Sequence, residues 1–105
     1  MALTMIAQRP AISVAELAAA AELSESRFQH LFRQVVGMAL GHFQLASRLD
    51  AAAEMLLSSH RRVSEIGYTT GFADAGHFIR CFTARFGMSP STYRRSKNPG
   101  TDSAP

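Results

Sequence analysis

VSEIGYTTGFADAGHFIRCFTARFGMSP, residues 63–90, holds apolar residues at helical spacing on both sides of Gly71. The spacing predicts a short helix over residues 63–70, a tight turn at Gly71 and a longer amphipathic helix over residues 74–86. Gly87 directly follows this second helix, and Gly37 is the predicted C-cap of an earlier helix over residues 25–36. Two helices joined in this way form a helix–turn–helix unit.

The same pattern occurs in a weaker form about fifty residues earlier. VAEL at residues 14–17 aligns with VSEI at residues 63–66 at an offset of 49. Further along the chain the offset is 50 for four pairs: Phe28 and Phe78, Phe32 and Phe82, Gly37 and Gly87, Met38 and Met88. The change of offset places one extra residue in the turn of the later unit. The sequence therefore predicts two helix–turn–helix units with turns of slightly different length.

The other segments also show the 3.6-residue apolar period of helices, and no alternating run is long enough to predict a sheet. Seven helices follow from this pattern, over residues 3–8, 14–23, 25–36, 40–59, 63–70, 74–86 and 90–95. Ser13 and Glu16 predict a capping box at the start of the second helix, and Ser24 predicts the N-cap of the third. The fold class is therefore predicted to be all-α.

These helices predict four segments along the chain. Residues 1–39 form the first helix–turn–helix subdomain, residues 40–59 a long linker helix, and residues 60–95 the second subdomain. The remaining residues, 96–105, have too little apolar content to bury and predict a disordered tail. The chain is thus either one compact domain or two very small modules that share a connector.

The composition narrows the classes of protein that this chain can represent. Its 105 residues carry a formal net charge of +3 and 47% hydrophobic residues, and the basic excess suits a polyanionic partner. The single cysteine, Cys81, excludes an internal disulfide framework and predicts a buried structural thiol. No apolar run reaches the roughly 18 residues of a membrane span, and the first ten residues lack a secretory pattern. We expect a cytoplasmic protein that associates with the nucleoid.

The sequence lacks the patterns that carry enzyme chemistry. It contains no nucleophile–base pairing, no glycine-rich phosphate loop and no paired carboxylates on one helix face. Its four histidines do not have the spacing of a metal site. We therefore expect neither an enzyme nor a bound metal or other cofactor.

The second helix of each unit has one apolar and one polar face, given about 100° of rotation per residue. The apolar stripes consist of Phe28, Leu31, Phe32, Val35 and Val36 in the first unit, and of Phe78, Cys81, Phe82 and Phe86 in the second. The opposite faces carry Ser26, Arg27, Gln29, His30, Arg33 and Gln34 in the first unit, and Gly76, His77, Arg80, Thr83 and Ala84 in the second. Small residues near the start of a helix, with cations or amides further along, suit insertion into a DNA major groove.

The predicted linker helix determines how the two units would meet DNA. A helix over residues 41–58 is about 27 Å long, and the major groove returns to the same side of B-DNA every ~34 Å. A rod of that length can place two reading helices in adjacent major grooves. The alternative interpretation is an ordinary helical bundle with a duplicated hairpin.

VSEIGYTTGFADAGHFIRCFTARFGMSPSTYRR, residues 63–95, resembles the characteristic pattern of the AraC/XylS family of bacterial transcription regulators. The matching positions are Ile66, Gly71, Phe72, Asp74, His77, Phe78, Arg80, Phe82, Phe86, Gly87, Ser89, Pro90, Tyr93 and Arg94. The first half fits more weakly, so that the resemblance covers about residues 3–95. It implies a DNA-binding domain with two helix–turn–helix subdomains, which binds asymmetric promoter sites and usually activates transcription.

The resemblance also implies which residues contact DNA. The base-reading positions would be Ser26, Gln29 and His30 in the first unit, with Arg27 and Arg33 nearby, and Ala75, Gly76, His77 and Arg80 in the second, with Thr83 on the same face. Because Ala75 and Gly76 are too short to bond to bases, we expect the second unit to contribute positioning more than base specificity. The candidates for phosphate contacts are Ser24, Arg61, Arg62, Ser64 and Arg94.

Some of these candidates have a second interpretation, and Glu22 departs from the family. Arg94 either touches a backbone phosphate or keeps the tail soluble. His77 either packs and caps at the helix start or contacts DNA, and Arg61 and Arg62 belong either to a solvated loop or to a phosphate contact. Glu22 stands where the family has glycine. Left-handed geometry costs a non-glycine residue roughly 1–2 kcal/mol, so Glu22 is expected to strain or reshape the first turn.

Two functional hypotheses follow. The first is sequence-specific binding to double-stranded promoter DNA, with RNA polymerase and an effector-binding or dimerisation domain as the further partners that the resemblance implies. No such effector domain is present in the 105 residues, which form either a standalone regulator or a part of a longer one. The alternative is a helical protein-interaction module that has lost DNA binding and antagonises a related regulator or contacts RNA polymerase. Glu22, Ala75 and Gly76 are the residues that favour the alternative.

Overall fold

The computed structural model describes residues 2–97, and every regular element in this range is an α-helix. The helices are α1 (Ala2–Gln8), α2 (Val14–Ala20), α3 (Glu25–Val36), α4 (Leu40–Ser58), α5 (Val63–Thr69), α6 (Ala75–Phe86) and α7 (Pro90–Lys97). The predicted all-α class and its seven helices are confirmed for the described residues.

The chain divides into two compact units between Arg48 and Leu49, within α4. The first unit therefore contains α1–α3 and the beginning of α4, and the second contains the end of α4 and α5–α7. The predicted division into two subdomains and a separate linker over residues 40–59 stays a prediction.

The last helix extends further than the sequence predicts. Residues 96–105 were expected to form the tail, but α7 includes Ser96 and Lys97. Ser96 Oγ donates a hydrogen bond to the carbonyl of Tyr93, at 3.2 Å. The rest of the predicted tail, residues 98–105, lies outside the described residues.

Serine caps determine where the first two long helical segments begin. Ser13 Oγ accepts from the Glu16 N–H at 3.1 Å, and the Glu16 carboxylate accepts from the Ser13 N–H at 3.2 Å. This is the predicted capping box. Ser24 Oγ accepts from the Arg27 N–H at 3.2 Å, as the prediction of an N-cap requires.

The turn has the same main-chain hydrogen bonds in both helix–turn–helix units. The bonds run from Leu23 N to Ala18 O (2.9 Å) and from Glu22 N to Ala19 O (3.0 Å) in the first unit, and from Phe72 N to Gly67 O (2.9 Å) and from Gly71 N to Tyr68 O (3.1 Å) in the second. Glu22 adopts a φ of 58°, and Gly71 a φ of 102°. Glu22 therefore accepts left-handed geometry without reshaping the turn, and α2 ends at Ala20 rather than at residue 23.

A single inserted residue distinguishes the two turns. In the first unit Leu23 directly precedes the N-cap Ser24. In the second unit Ala73 stands between Phe72 and the N-cap Asp74. The shift from an offset of 49 to one of 50 is thereby located at Ala73.

The first unit has a continuous apolar core, which α1, α2, α3 and the beginning of α4 all line. Its buried members are Ile6, Ile12, Leu17, Ala18, Phe28, Phe32 and Leu40. Val35 was predicted to belong to the apolar stripe of α3, but 84% of this residue is exposed. The equivalent position in the second unit, Arg85, contacts Asp50 of α4 through two hydrogen bonds of 3.0 and 3.1 Å.

The second unit has an aromatic core centred on Phe82. Its ring lies 5.8 Å from Phe78, 4.5 Å from Phe86 and 5.3 Å from Tyr93, measured between centroids. Phe78 and Phe82 are fully buried. Cys81 was predicted to be buried as well, but it is only partly covered because it lies at the edge of this stripe.

α5 and α6 approach each other closely at Gly67. A Cβ atom at this glycine would lie 2.8 and 2.9 Å from two ring atoms of Phe78. The equivalent residue of the first unit is Ala18, which is buried and does carry a Cβ. The second unit therefore needs glycine where the first tolerates alanine.

The structural repeat is longer than the helix–turn–helix pairs. The rings of Phe32 and Phe43 meet edge to face at 5.4 Å, and those of Phe82 and Tyr93 do so at 5.3 Å. At an offset of 50, the beginning of α4 in the first unit therefore corresponds to α7 in the second.

The opposite end of α4 also has a counterpart. Ile6 in α1 and Leu56 in α4 are equivalent and fully buried. These two helices end at the equivalent residues Gln8 and Ser58. Each unit thus consists of four helical segments, and α4 supplies the last segment of one and the first segment of the other.

Candidate nucleic-acid interface

The outward face of α3 is polar and exposed along its whole length. Buried Phe28 and Phe32 hold the opposite face in the core of the first unit. The predicted contact residues Ser26, Arg27, Gln29, His30 and Arg33 are all exposed. Positions 26, 29, 30 and 33 have the spacing of residues that share one helix face. The structure therefore brings the predicted residues of the first unit together.

The cations on this face are not held by the protein itself. Among the hydrogen bonds and ion pairs of residues 2–97, none involves the side chain of Arg27, His30 or Arg33. The only acid in the first turn of α3 is Glu25, which suits the positive end of the helix dipole. The guanidinium and imidazole groups are therefore free to bind an external acceptor.

The outward face of α6 carries smaller residues. Gly76, His77, Arg80 and Thr83 are exposed, and Ala75 is half-buried at the helix start. A Cβ atom built at Gly76 would lie 3.4 Å from Arg80 Nη1, so the guanidinium reaches back over this glycine toward the start of the helix. Arg80 has no hydrogen-bond or ion-pair partner among the described residues. The missing side chain of Gly76 therefore leaves room for the one strong donor of this face.

His77 takes part in the local structure and stays accessible. Its ring packs edge to face on Phe72, with 5.7 Å between the centroids. Its backbone N–H donates to Asp74 Oδ1 at 2.7 Å, which caps α6. The packing interpretation of His77 is therefore supported, although the residue remains exposed enough to meet a ligand.

Ile79 is a residue of this face that sequence reasoning missed. Its position is three residues after Gly76 and four before Thr83, and 38% of it is exposed. Thr83 Oγ1 donates to the Ile79 carbonyl at 2.7 Å, which satisfies the hydroxyl proton within the helix. The internal repeat contained the signal, because position 79 is equivalent to Gln29 at an offset of 50.

The predicted phosphate contacts are in three different situations. Ser24 caps α3, and Ser64 is half-buried in the first turn of α5. Arg62 is exposed, and its side chain has no partner among residues 2–97. Arg61 is bound internally, with 3.3 Å from Nη2 to Glu65 Oε2 and 3.0 Å to Thr69 Oγ1. Arg62 is therefore the better placed of the two loop arginines.

Arg94 is bound within the second unit. Its side chain donates to three main-chain carbonyls, those of Leu56 (2.9 Å), Ser59 (3.2 Å) and Arg61 (2.8 Å). A half-buried guanidinium with this set of acceptors ties α7 to the end of α4 and the following loop. Nε and Nη2 of Arg94 are thereby engaged within the protein, and the phosphate contact of this residue stays a prediction.

Between Ala2 and Lys97, no group of three or more histidine, cysteine, aspartate or glutamate side chains is arranged to hold a metal ion. In the same range, no helix combines the length and the apolar character needed to cross a bilayer. The exposed outward faces of α3 and α6 are the candidate interface.

Comparison with known proteins places this geometry in a family. The family model described as a helix-turn-helix domain matches residues 17–96. The probable transcriptional regulator LumQ of Photobacterium leiognathi is 34% identical over 83 residues, which are 79% of this chain and 34% of LumQ. The chain spans about a third of the length of the curated relatives it matches first.

Solved structures have the same fold. An AraC-type regulator from Chromobacterium violaceum superimposes with a TM-score of 0.79 at 23% identity, over 89% of this chain and 85% of that one. The DNA-binding domain of AdpA, solved in complex with a target DNA, gives a TM-score of 0.82 at 26% identity, over 93% of both chains. With a family model matched over most of its length and two equivalent helix–turn–helix units, this chain belongs to the AraC-type family of helix-turn-helix transcription regulators.

Proposed function

We propose that this chain binds double-stranded promoter DNA sequence-specifically and regulates transcription, with α3 and α6 each entering a major groove. The observation that carries the proposal is the pair of equivalent outward faces, on which Arg27, His30, Arg33 and Arg80 have no acceptor within residues 2–97. Free guanidinium groups on an exposed helix face suit base edges and phosphates. The AdpA domain, which was solved with its target DNA, supports the proposal through its common fold.

The first unit reads bases through hydrogen bonds. Gln29 offers both a donor and an acceptor, the pair that adenine presents in the major groove, and Arg33 offers the two parallel donors that suit guanine. His30 lies between them on the same face. Ser26 and Arg27 lie near the helix start, where side chains come close to base edges or the phosphate backbone.

The second unit has less hydrogen-bonding capacity. Arg80 is its main donor to bases, and exposed His77 is a second donor near the helix start. Ala75 and Gly76 permit close approach to the groove. Arg62, directly before α5, and Ser64, in its first turn, are phosphate contacts. Because the faces of α3 and α6 differ in chemistry, one monomer recognises an asymmetric site.

The proposed partners besides DNA are RNA polymerase and an effector-binding or dimerisation domain. Regulation of transcription requires contact with promoter DNA and, for activation, with RNA polymerase. An effector-binding or dimerisation domain would supply the regulatory input, in keeping with the greater length of the curated relatives. The site of action is the cytoplasm, on the nucleoid.

The decisive experiment is selection of bound sites from a pool of random duplexes, followed by footprinting of the selected site. We expect one asymmetric sequence with protection in two adjacent major grooves and an affinity that falls steeply with salt, because phosphate neutralisation releases counterions. Arg33→Ala should lose about tenfold or more in affinity and relax one base position. Arg9→Ala removes an equal charge from an arginine that pairs with Glu16, and serves as the matched control.

An absence of binding to any duplex at low salt would favour the alternative, a protein-interaction module that antagonises a related regulator or contacts RNA polymerase. Glu22 is one of the residues that favour this alternative. The structure weakens that argument, because Glu22 leaves the hydrogen bonds of its turn intact. Protection confined to one groove would contradict the two-helix mode of binding.

A further inference from the structure

The outward face of α6 includes one exposed large apolar residue, Ile79. Gly76, Ile79, Arg80 and Thr83 have the spacing of a single helix face, opposite the fully buried Phe78. Ile79 is 38% exposed, so much of a branched aliphatic side chain meets solvent between a glycine and an arginine. Burial of this side chain against a ligand would remove apolar surface from water.

The equivalent face of α3 has a different chemistry. Its four positions hold Ser26, Gln29, His30 and Arg33, and each of these side chains can form hydrogen bonds. Ile79 replaces an amide that could read a base edge. The two units present equivalent backbones, so the substitution changes the kind of group that this position can recognise.

Of the side chains on the outward face of α6, Ile79 and Arg80 are the two that can make the main contacts with DNA. Gly76 has no side chain, and Thr83 Oγ1 already donates to the Ile79 carbonyl at 2.7 Å. Arg80 Nη1 lies over Gly76, toward the start of the helix, rather than over Ile79. The carboxylate of Asp74 is engaged in capping through the His77 N–H. Ile79 is 38% exposed and can therefore meet a ligand beside Arg80.

The major groove offers one apolar group, the C5-methyl of thymine. We propose that Ile79 contacts a thymine methyl in the groove that α6 enters, and so specifies thymine at one position next to the base or phosphate bound by Arg80. This inference rests on the proposed function, and it deepens it by assigning direct base readout to a unit expected mainly to position the protein.

Deoxyuridine tests the contact, because it differs from thymidine only by the missing methyl group. In the selected site, each thymine is replaced by uracil in turn, and the dissociation constant is measured with the complete chain. One replacement in the half bound by α6 should weaken wild-type binding about threefold to fivefold. Ile79→Ala should bind the thymine site more weakly by a similar factor and should no longer respond to that replacement.

Two further measurements keep the result specific. Gln29→Ala, at the equivalent position of α3, should retain the full response to the same uracil, and thermal melting should show that both variants are folded. A wild-type chain indifferent to every uracil overturns the inference and leaves DNA binding intact. An equal response in Ile79→Ala assigns the methyl to another residue and also overturns it. Failure to bind any duplex overturns the proposed function itself.

Discussion

Gln44 and Arg94 occupy equivalent positions in the two units, and each binds a main-chain carbonyl just before the helix–turn–helix pair of its unit. Gln44 Nε2 donates to the carbonyl of Ile12 at 2.6 Å, and Arg94 Nη2 donates to that of Arg61 at 2.8 Å. The side chains are related by an offset of 50 and the carbonyls by one of 49. In both units, therefore, the last helical segment holds the loop that leads into the DNA-binding motif.

Removal of the arginine should reveal this role as a loss of stability. Arg94→Ala leaves three carbonyls without their charged donor, and we expect the free energy of unfolding to fall by about 1–3 kcal/mol. Water can reach part of this half-buried site, which keeps the loss toward the lower end. Urea denaturation measures the change, and Arg95→Ala, at an exposed neighbouring position, should stay within about 0.5 kcal/mol of the wild type. If Arg94→Ala left the stability unchanged and made the salt dependence of DNA binding shallower, Arg94 would be assigned to a phosphate contact instead.

The two turns predict opposite effects for exchanges of glycine. Glu22→Gly relieves a left-handed strain of roughly 1–2 kcal/mol but gives the unfolded chain more freedom, so a net stabilisation of up to about 1 kcal/mol is expected. Gly71→Ala introduces the same strain and should destabilise by about 1–2 kcal/mol. Differential scanning calorimetry of both variants tests the pair. A lower melting temperature for Glu22→Gly would contradict the proposed equivalence of the turns.

Alanine should have opposite effects at two helical glycines. Gly67→Ala forces a Cβ against the buried ring of Phe78 and should destabilise by about 1–3 kcal/mol, although alanine is the better helix former. Gly41, in the first turn of α4, has no heavy atom within 4 Å of a built Cβ. Gly41→Ala should therefore stabilise, by at most about 1 kcal/mol. Equilibrium unfolding in urea decides the signs, and stabilisation by both substitutions would refute the close contact of α5 with α6.

Acid should weaken the start of α2. The backbone N–H of Ser13 lowers the pKa of the Glu16 carboxyl, with further contributions from the Arg9 guanidinium and the Ser13 hydroxyl. Because the pKa is lower in the folded state, the contribution to stability is present above the ordinary glutamate pKa of about 4.3 and is lost as the pH falls through the folded value. The difference in unfolding free energy between wild type and Glu16→Gln should therefore shrink from pH 6 to pH 3. A constant difference would exclude ionisation as its origin.

Local chemistry made much of this structure predictable. Ser13 and Ser24 as N-caps, and Gly37 as the C-cap of α3, depend only on neighbouring residues and were confirmed. The contact faces followed from helical periodicity, because Phe28 and its equivalents define which side is buried. Assignment of individual residues to DNA contacts stays a prediction.

Residues whose role depends on distant partners were beyond such reasoning. Arg94 finds its acceptors 33 to 38 residues away, so nothing in its neighbourhood indicates a structural role. Val35 was predicted to lie on the apolar stripe and Ile79 was assigned no role, yet 84% of Val35 and 38% of Ile79 are exposed. Periodicity gives the direction of a side chain and does not reveal what lies in that direction.

Because α4 contributes to both units, it determines where helix–turn–helix units can be exchanged between related regulators. A chimera joined at residue 39 separates the first unit from the part of α4 up to Arg48. A chimera joined at residue 60 separates the second unit from the part of α4 that begins at Leu49. Chimeras joined at the Arg48–Leu49 boundary keep both sets of segments whole. The boundary between the two units of this chain therefore lies inside a helix that both units need.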